Sequence, residues 1–181
     1  HDTLMFKRQE LVNHNEDAFD HLLTGSGYTW IAVISVHKQI VQLKDVNSFF
    51  GNLKNGGMYE GIWGNVTDDG RVWIGSRNAI TFGRWDHNNP MVVAAKPLEK
   101  DQYYVVAGRM GSGTGEVQIE LFINEPQAVA SKPFPVNPKA NSSNLAIGQE
   151  RDATNHPGKE SFDGELARFL MSECPLTTDE L

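Results

Sequence analysis

The sequence lacks the features that define several classes of protein. Its 181 residues include one cysteine, Cys174, which excludes a disulfide within the chain and a cysteine-based zinc cluster. No apolar run is longer than that at 30–34, which is far shorter than the roughly 18 residues that a membrane-spanning helix needs. Asp and Glu (23) outnumber Lys and Arg (16), and no basic cluster occurs. We therefore expect no membrane span and no nucleic-acid partner.

Common catalytic and metal-binding patterns are missing as well. The six histidines are scattered, without the spacing of a His-Glu-x-x-His zinc site. No strand carries the alternating acids of a glycosidase. The glycine-rich segment 111–115 lacks the Lys-Ser/Thr of a phosphate-binding loop and is predicted to be a hairpin loop between two strands. The sequence therefore indicates no catalytic residue and favours a non-enzymatic protein.

The residues that are present predict a β-rich fold. Hydrophobic residues make up 39% of the chain and charged residues 22%, as in ordinary globular domains. Short apolar runs are separated by Gly, Pro, Asn and Asp, which is typical of strands joined by turns. The predicted strands are 29–37, 58–66, 71–77, 102–110, 116–124, 144–149 and 165–171.

Little helix is expected. Only 16–23 and the last residues suggest one, the latter because Thr177 and Glu180 have the spacing of a capping box. Because the chain starts at His1 without Met and ends just after this helix start, we expect residues 1–181 to be a single domain excised from a longer chain. The predicted fold class is all-β, a two-sheet antiparallel jelly-roll sandwich.

One predicted hairpin carries most of the functional information. Its strands 58–66 and 71–77 flank Asp68-Asp69-Gly70, which suits a three-residue loop with Gly70 in the left-handed conformation. Val66 then faces Val72 and Trp63 faces Gly75, and alternation sorts the side chains onto two faces. The face predicted to join the core carries Ile62, Val66, Val72 and Ile74. The opposite face carries Tyr59, Trp63, Asn65, Arg71, Trp73 and Arg77.

Aromatic rings beside Arg and Asn are typical of carbohydrate sites, where rings pack on sugar C–H faces and polar groups bond the hydroxyls. The polar loop 84–90 brings Trp85 and His87 as possible rim residues, or is an ordinary Asn-Pro turn. A second interpretation stays open, in which Trp63 and Trp73 are covered and their indole N–H groups are bonded internally. The candidate ligand-binding residues are Tyr59, Trp63, Asn65, Arg71, Trp73, Arg77, Trp85 and His87.

Calcium is the one cofactor that the sequence suggests. Carboxylates and amides in loops supply the oxygen ligands that Ca²⁺ prefers, although no EF-hand pattern occurs. The candidate metal ligands are Asp68, Asp69 and Asp86, with Asn88, Asp152 and Asn155 as further loop oxygens.

The second half of the chain resembles a known family. The segments in question are Tyr-Tyr-Val-Val-Ala-Gly-Arg at 103–109, Ile-Glu-Leu-Phe-Ile-Asn-Glu at 119–125, Leu-Ala-Ile-Gly at 145–148, Phe-Asp-Gly-Glu-Leu-Ala-Arg-Phe-Leu at 162–170 and Pro-Leu-Thr-Thr-Asp-Glu-Leu at 175–181. Their order resembles that of bacterial laminin-G-like domains, which have the concanavalin A-like lectin/glucanase fold. Glu125 departs from the pattern, since the family usually has Gly there.

The resemblance implies a jelly roll with a concave face that binds glycans or proteins, sometimes with calcium. It also implies an extracellular, periplasmic or cell-envelope location beside other domains of a larger chain. The favoured function is a non-catalytic module that binds carbohydrate or a glycoprotein. The alternatives are a protein-interaction or spacer domain of an envelope protein, and a glycoside hydrolase or polysaccharide lyase using Tyr59, Arg77 and His87, because fold does not settle function.

Overall fold

The computed structural model describes residues 2–39, 46–54, 58–81, 83, 85–150 and 160–181. These residues form two antiparallel sheets of six strands each. The strands are β1 (Leu4–Lys7), β2 (Leu11–Val12), β3 (Tyr28–Val36), β4 (Asn47–Gly51), β5 (Gly61–Val66), β6 (Val72–Arg77), β7 (Met91–Val93), β8 (Tyr103–Met110), β9 (Glu116–Ile123), β10 (Ala130–Pro135), β11 (Ala146–Ile147) and β12 (Asp163–Ser172). The first sheet has the order β1-β12-β3-β8-β9-β10, and the second has the order β2-β11-β4-β5-β6-β7.

The predicted all-β sandwich is confirmed. All seven predicted strands are present, although the one predicted at 58–66 begins only at Gly61 and the one at 144–149 shortens to Ala146–Ile147. Segment 111–115 joins β8 to β9, as expected of a hairpin loop. Five strands were not predicted, namely β1, β2, β4, β7 and β10. Four of these, β1, β2, β7 and β10, lie at sheet edges.

The helical predictions are met in part. Segment 16–23 forms a 3-10 turn at Glu16–Phe19 and a wide π-type turn at Leu22–Ser26 instead of one helix. Gly25 lies inside the second turn with φ +143°, a conformation that breaks regular helix. The capping box is confirmed, since the Thr177 N–H donates to Glu180 Oε2 at 2.8 Å. In the part of the chain that the structure describes, no helix has the length and apolar character to cross a bilayer.

The main core lies between the two sheets. Trp30 of β3 makes edge-on contacts with Phe49 and Phe50 of β4, at ring separations of 5.7 and 4.9 Å. A register shift between Ser48 and Phe50 breaks the alternation of β4, and both Phe49 and Phe50 belong to this core. Apolar residues on the inner faces therefore join the sheets without any disulfide.

The outer faces of the two sheets differ. In the first sheet, Tyr103, Val105 and Leu170 are exposed. In the second sheet, every residue of β4 and β5 is buried, and so is every residue of β6 except Arg77. A second layer of side chains therefore covers the outer face of β4, β5 and β6.

Candidate functional site

The β5–β6 hairpin has the predicted geometry. Val66 pairs with Val72 and Trp63 pairs with Gly75, as the three-residue loop requires. Gly70 has φ +88°, which is the left-handed conformation expected at the end of that loop. Alternate residues of the hairpin therefore lie on the predicted faces.

The outer face of this hairpin is covered. Trp63 and Trp73 are each only 1% exposed, and their rings meet edge to face with centroids 5.6 Å apart. They form a small apolar cluster with Val46 and Leu53. Partly buried Tyr59, Met91 and Val93 pack against this cluster. Of the two interpretations of Trp63 and Trp73, the burial therefore favours the one in which both rings are covered.

The covered interpretation also expects the indole N–H of Trp63 to be hydrogen-bonded internally, and this is not found. Its buried Nε1 has no hydrogen-bond partner in the structure. A buried donor without a partner costs about 1–3 kcal/mol. Close packing against Trp73 and the surrounding apolar side chains therefore holds this ring in place without a hydrogen bond from its N–H group.

Asn65, which lies on the same face of the hairpin as Trp63 and Trp73, is also buried. The Ser48 hydroxyl donates to Asn65 Oδ1, and Asn65 Nδ2 lies 3.5 Å from Glu150 Oε1. Ser48 and Glu150 are themselves buried. Asn65 therefore belongs to an internal polar network and is not a surface group in this structure.

Trp85 packs against the two buried indoles of Trp63 and Trp73 and also reaches the surface. It is 38% exposed. Its ring stands perpendicular to Trp73 at 4.9 Å and lies 6.4 Å from Trp63. The Arg77 guanidinium lies 6.0 Å from the centroid of the Trp85 ring and 5.7 Å from that of Tyr59. Two buried indoles thus support one exposed indole, with a cation beside it.

A shallow groove of about 230 Å³ runs beside Trp85, which we call the Trp85 groove. Asp86, Met91 and Val93 line one side of it. Residues of β10 line the other side, and these are Ala130, Ser131 and Lys132. The sequence prediction missed the β10 residues, because no local pattern places them opposite a loop more than forty positions away.

Two other predicted ligand-binding residues each lie beside an acidic side chain. His87 is exposed, with Nε2 3.2 Å from Glu116 Oε2, close in sequence to Trp85. Arg71 Nε lies 2.9 Å from Asp69 Oδ2 within the β5–β6 turn. A hydrogen bond from the Thr67 hydroxyl lowers the pKa of Asp69, and Arg71 adds to this effect. Arg71 therefore stabilises the turn.

The predicted acidic metal ligands do not gather. Among the described residues, no three His, Cys, Asp or Glu side chains are grouped so that they could hold a metal ion. Asp68 and Asp69 lie in the β5–β6 turn, and Asp86 lies in the loop between β6 and β7. Asp152 and Asn155 fall outside the described residues.

Comparisons with known proteins give structural matches only. No protein-family model matches the sequence, and no curated protein does. The carbohydrate-binding module CBM40 of a Ruminococcus gnavus IT-sialidase, solved with α2,3 sialyllactose, has a TM-score of 0.71 at 16% identity, covering 100% of this chain and 95% of that chain. A leech intramolecular trans-sialidase gives 0.67 at 17% identity, covering 99% and 26%.

A heptameric SAP-like pentraxin from Limulus polyphemus gives a TM-score of 0.57 at 18% identity, covering 86% of this chain and 68% of that chain. These neighbours are jelly-roll sandwiches with two antiparallel sheets, as found here. The more specific laminin-G-like type stays a prediction. At these identities the likeness shows the fold alone, and the fold of this chain is the concanavalin A-like jelly roll.

Proposed function

We propose that this protein is a non-catalytic carbohydrate-binding module that holds a sugar unit in the Trp85 groove. The carrying observation is the exposed indole of Trp85, fixed from below by Trp73 at 4.9 Å. An aromatic ring that is already held in place loses little conformational entropy when a ligand packs on it. The ring supplies an apolar surface for the C–H face of a sugar.

Polar groups around the ring supply the hydrogen bonds that such a ligand needs. Ser131 and Lys132 lie on the β10 side of the groove, and Asp86 lies on the loop side. A hydroxyl, an ammonium and a carboxylate together can bond donors and acceptors of sugar hydroxyls. The groove volume of about 230 Å³ is below the 300–1,000 Å³ typical of pockets for drug-sized ligands, which suits one sugar unit.

The structural neighbours support the same class of ligand. The CBM40 neighbour was solved with α2,3 sialyllactose, and another structure of it holds α2,6 sialyllactose. The ligand panel should therefore hold neutral oligosaccharides together with both sialyllactoses. A net charge of −7 makes extended polyanions a poorer class of ligand than these.

Glycan-array screening followed by titration calorimetry tests the proposal. We expect one class of oligosaccharide to bind the wild-type protein, and Trp85→Ala to weaken that binding at least tenfold. Tyr103→Ala is the matched control, because Tyr103 is an exposed aromatic residue on the first sheet. Binding that survives Trp85→Ala, or no binding to any oligosaccharide, would overturn the proposal.

A second candidate is a protein-interaction or spacer domain. Leu4, Met5 and Leu11 are each more than half exposed, and Leu4 and Leu11 line an apolar groove with Leu166 and Phe169. Exposed apolar patches often mark protein-binding surfaces. If Leu4→Lys releases a partner fragment in a pull-down while Trp85→Ala does not, this function is favoured over glycan binding.

We propose that residues 1–181 form one domain with an extracellular, periplasmic or cell-envelope location beside other domains of its chain. An enzyme using Tyr59, Arg77 and His87 is the third possibility. Incubation with a polysaccharide panel tests it, and release of reducing ends or unsaturated products would replace the binding module by an enzyme.

A further inference from the structure

A second groove adjoins the Trp85 groove. It has a volume of about 490 Å³, and we call it the Leu98 slot. Segment 94–98, which follows β7, forms one of its walls. Ile123 and Val129, at the turn between β9 and β10, form the other wall, and Tyr104 completes the lining.

The two grooves lie end to end along one seam of the sandwich. β7 and β10 are edge strands of opposite sheets and contact each other. The Trp85 groove takes residues 91–93 from β7 and 130–132 from β10. The Leu98 slot begins at the next residue on each side, which is Ala94 after β7 and Val129 before β10. A ligand longer than one sugar unit can therefore extend from the first groove into the second.

The Leu98 slot differs from the Trp85 groove in its chemistry. Ala94 and Leu98 are buried members of the main core, and Val129 is 47% exposed. The Tyr104 hydroxyl already accepts the Glu99 N–H at 3.1 Å. Among the described residues that line the slot, Lys96 alone is charged, and it is exposed. The slot therefore offers apolar surface and few partners for sugar hydroxyls.

Main-chain hydrogen bonds hold both walls of the slot. On one wall, the Leu98 N–H donates to Gly70 O at 2.8 Å. On the other, the Val129 N–H donates to Leu121 O at 2.8 Å. A preformed slot loses little conformational entropy when a ligand enters it. Its volume of about 490 Å³ is within the 300–1,000 Å³ typical of small-molecule sites.

We propose that this protein binds a glycoside with an alkyl aglycone, with the sugar in the Trp85 groove and the alkyl chain in the Leu98 slot. The inference rests on the proposed function of the Trp85 groove. Polar and apolar parts follow one another in such a ligand as they do along the seam. Burial of about two methylene groups is enough for a tenfold gain in affinity.

Titration calorimetry with paired glycosides tests the inference. The probes are the octyl and methyl glycosides of glucose, galactose, mannose and of the sugar that the glycan array selects, all below the concentration at which micelles form. We expect the octyl glycoside of the recognised sugar to bind at least tenfold more tightly than its methyl glycoside. Trp85→Ala should weaken both by the same factor, because it removes only the sugar contact.

Two substitutions in the slot should abolish the gain that the octyl chain gives. Val129→Asp and Ala95→Asp place a carboxylate on opposite walls, so either one decides the question if the other does not fold. Both should bind the octyl glycoside only as tightly as the methyl glycoside. Val105→Asp is the matched control, since Val105 is 44% exposed on the first sheet, and it should keep the gain.

The outcomes separate the alkyl site from the sugar site. Equal affinity of the wild-type protein for the octyl and methyl glycosides would overturn the inference and leave the sugar site standing. A gain that survives both slot variants would also overturn it, because the chain would then bind elsewhere. If the octyl glycosides of all sugars bind alike and Trp85→Ala changes none of them, the sugar site itself fails and the shared ligand fails with it.

Discussion

Removing the Trp63 ring should cost far more stability than removing the Trp85 ring, although the two rings lie only 6.4 Å apart. Trp63 is 1% exposed, and a buried Trp→Ala substitution costs about 3–5 kcal/mol. Trp85 is 38% exposed and makes an edge contact with Trp73 at 4.9 Å. Such a contact is worth about 0.5–1.5 kcal/mol, so with its partial burial we expect Trp85→Ala to cost about 1–2 kcal/mol.

Urea unfolding followed by far-ultraviolet circular dichroism measures both costs without depending on tryptophan fluorescence. Thermal unfolding measures the same costs as changes in Tm. In a domain of this size a loss of 1 kcal/mol lowers Tm by about 2–4 °C, which predicts a decrease of about 6–20 °C for Trp63→Ala and of about 2–8 °C for Trp85→Ala. Titration calorimetry with the glycan that the wild-type protein binds should show the opposite order for the loss of affinity. Trp85→Ala loses binding, whereas Trp63→Phe, which keeps an aromatic ring in the cluster, retains it.

Two results would refute this reasoning. A cost below about 1 kcal/mol for Trp63→Ala would mean that its ring is not packed in the cluster. Loss of glycan binding by folded Trp63→Phe would mean that the ligand reaches the covered face, and that the site is larger than the Trp85 groove.

Two further substitutions test the packing and the electrostatics. Gly75→Ala should cost about 1–3 kcal/mol because its Cβ would lie 2.5 Å from the Trp63 ring, whereas Gly115→Ala, with nothing within 4 Å, should be neutral in the same unfolding assay; equal costs would contradict the packing. The hydrogen bond from the Tyr103 hydroxyl lowers the pKa of Glu165, so the stability linked to it is complete above the ordinary value of 4.5 and is lost as pH falls through the lowered value. Tyr103→Phe should flatten the dependence of the unfolding midpoint on pH in the acid range, and an unchanged slope would contradict the assignment.

The β5–β6 hairpin shows how far local sequence reaches. Asp68-Asp69-Gly70 sets the length of the turn, the turn sets the register, and the register sets which side chains share a face. The capping box of Thr177 and Glu180 is equally local. These features were predictable because each depends on residues only a few positions apart.

Some strands were not revealed by the sequence, and β1 among them has a distant partner. Leu4 of β1 pairs with Leu166 of β12, whereas β10 forms a hairpin with the preceding strand β9, in which Ala130 pairs with Leu121 at the edge of the first sheet. β10 also contains Pro133, a residue that local patterns count against a strand and that sheet edges tolerate. Pairing with a strand far away in the chain therefore stabilises β1, and the edge position of β10 accommodates its proline.

The same distinction applies to the candidate site. The sequence by itself determined that Trp63 and Trp73 share a face, because alternation along paired strands is a local property. The tertiary structure decided that both rings are covered, because residues from distant segments, Val46 and Leu53 among them, pack over that face. It left Trp85 at the surface and placed β10 beside it, since burial depends on which distant segments reach a surface.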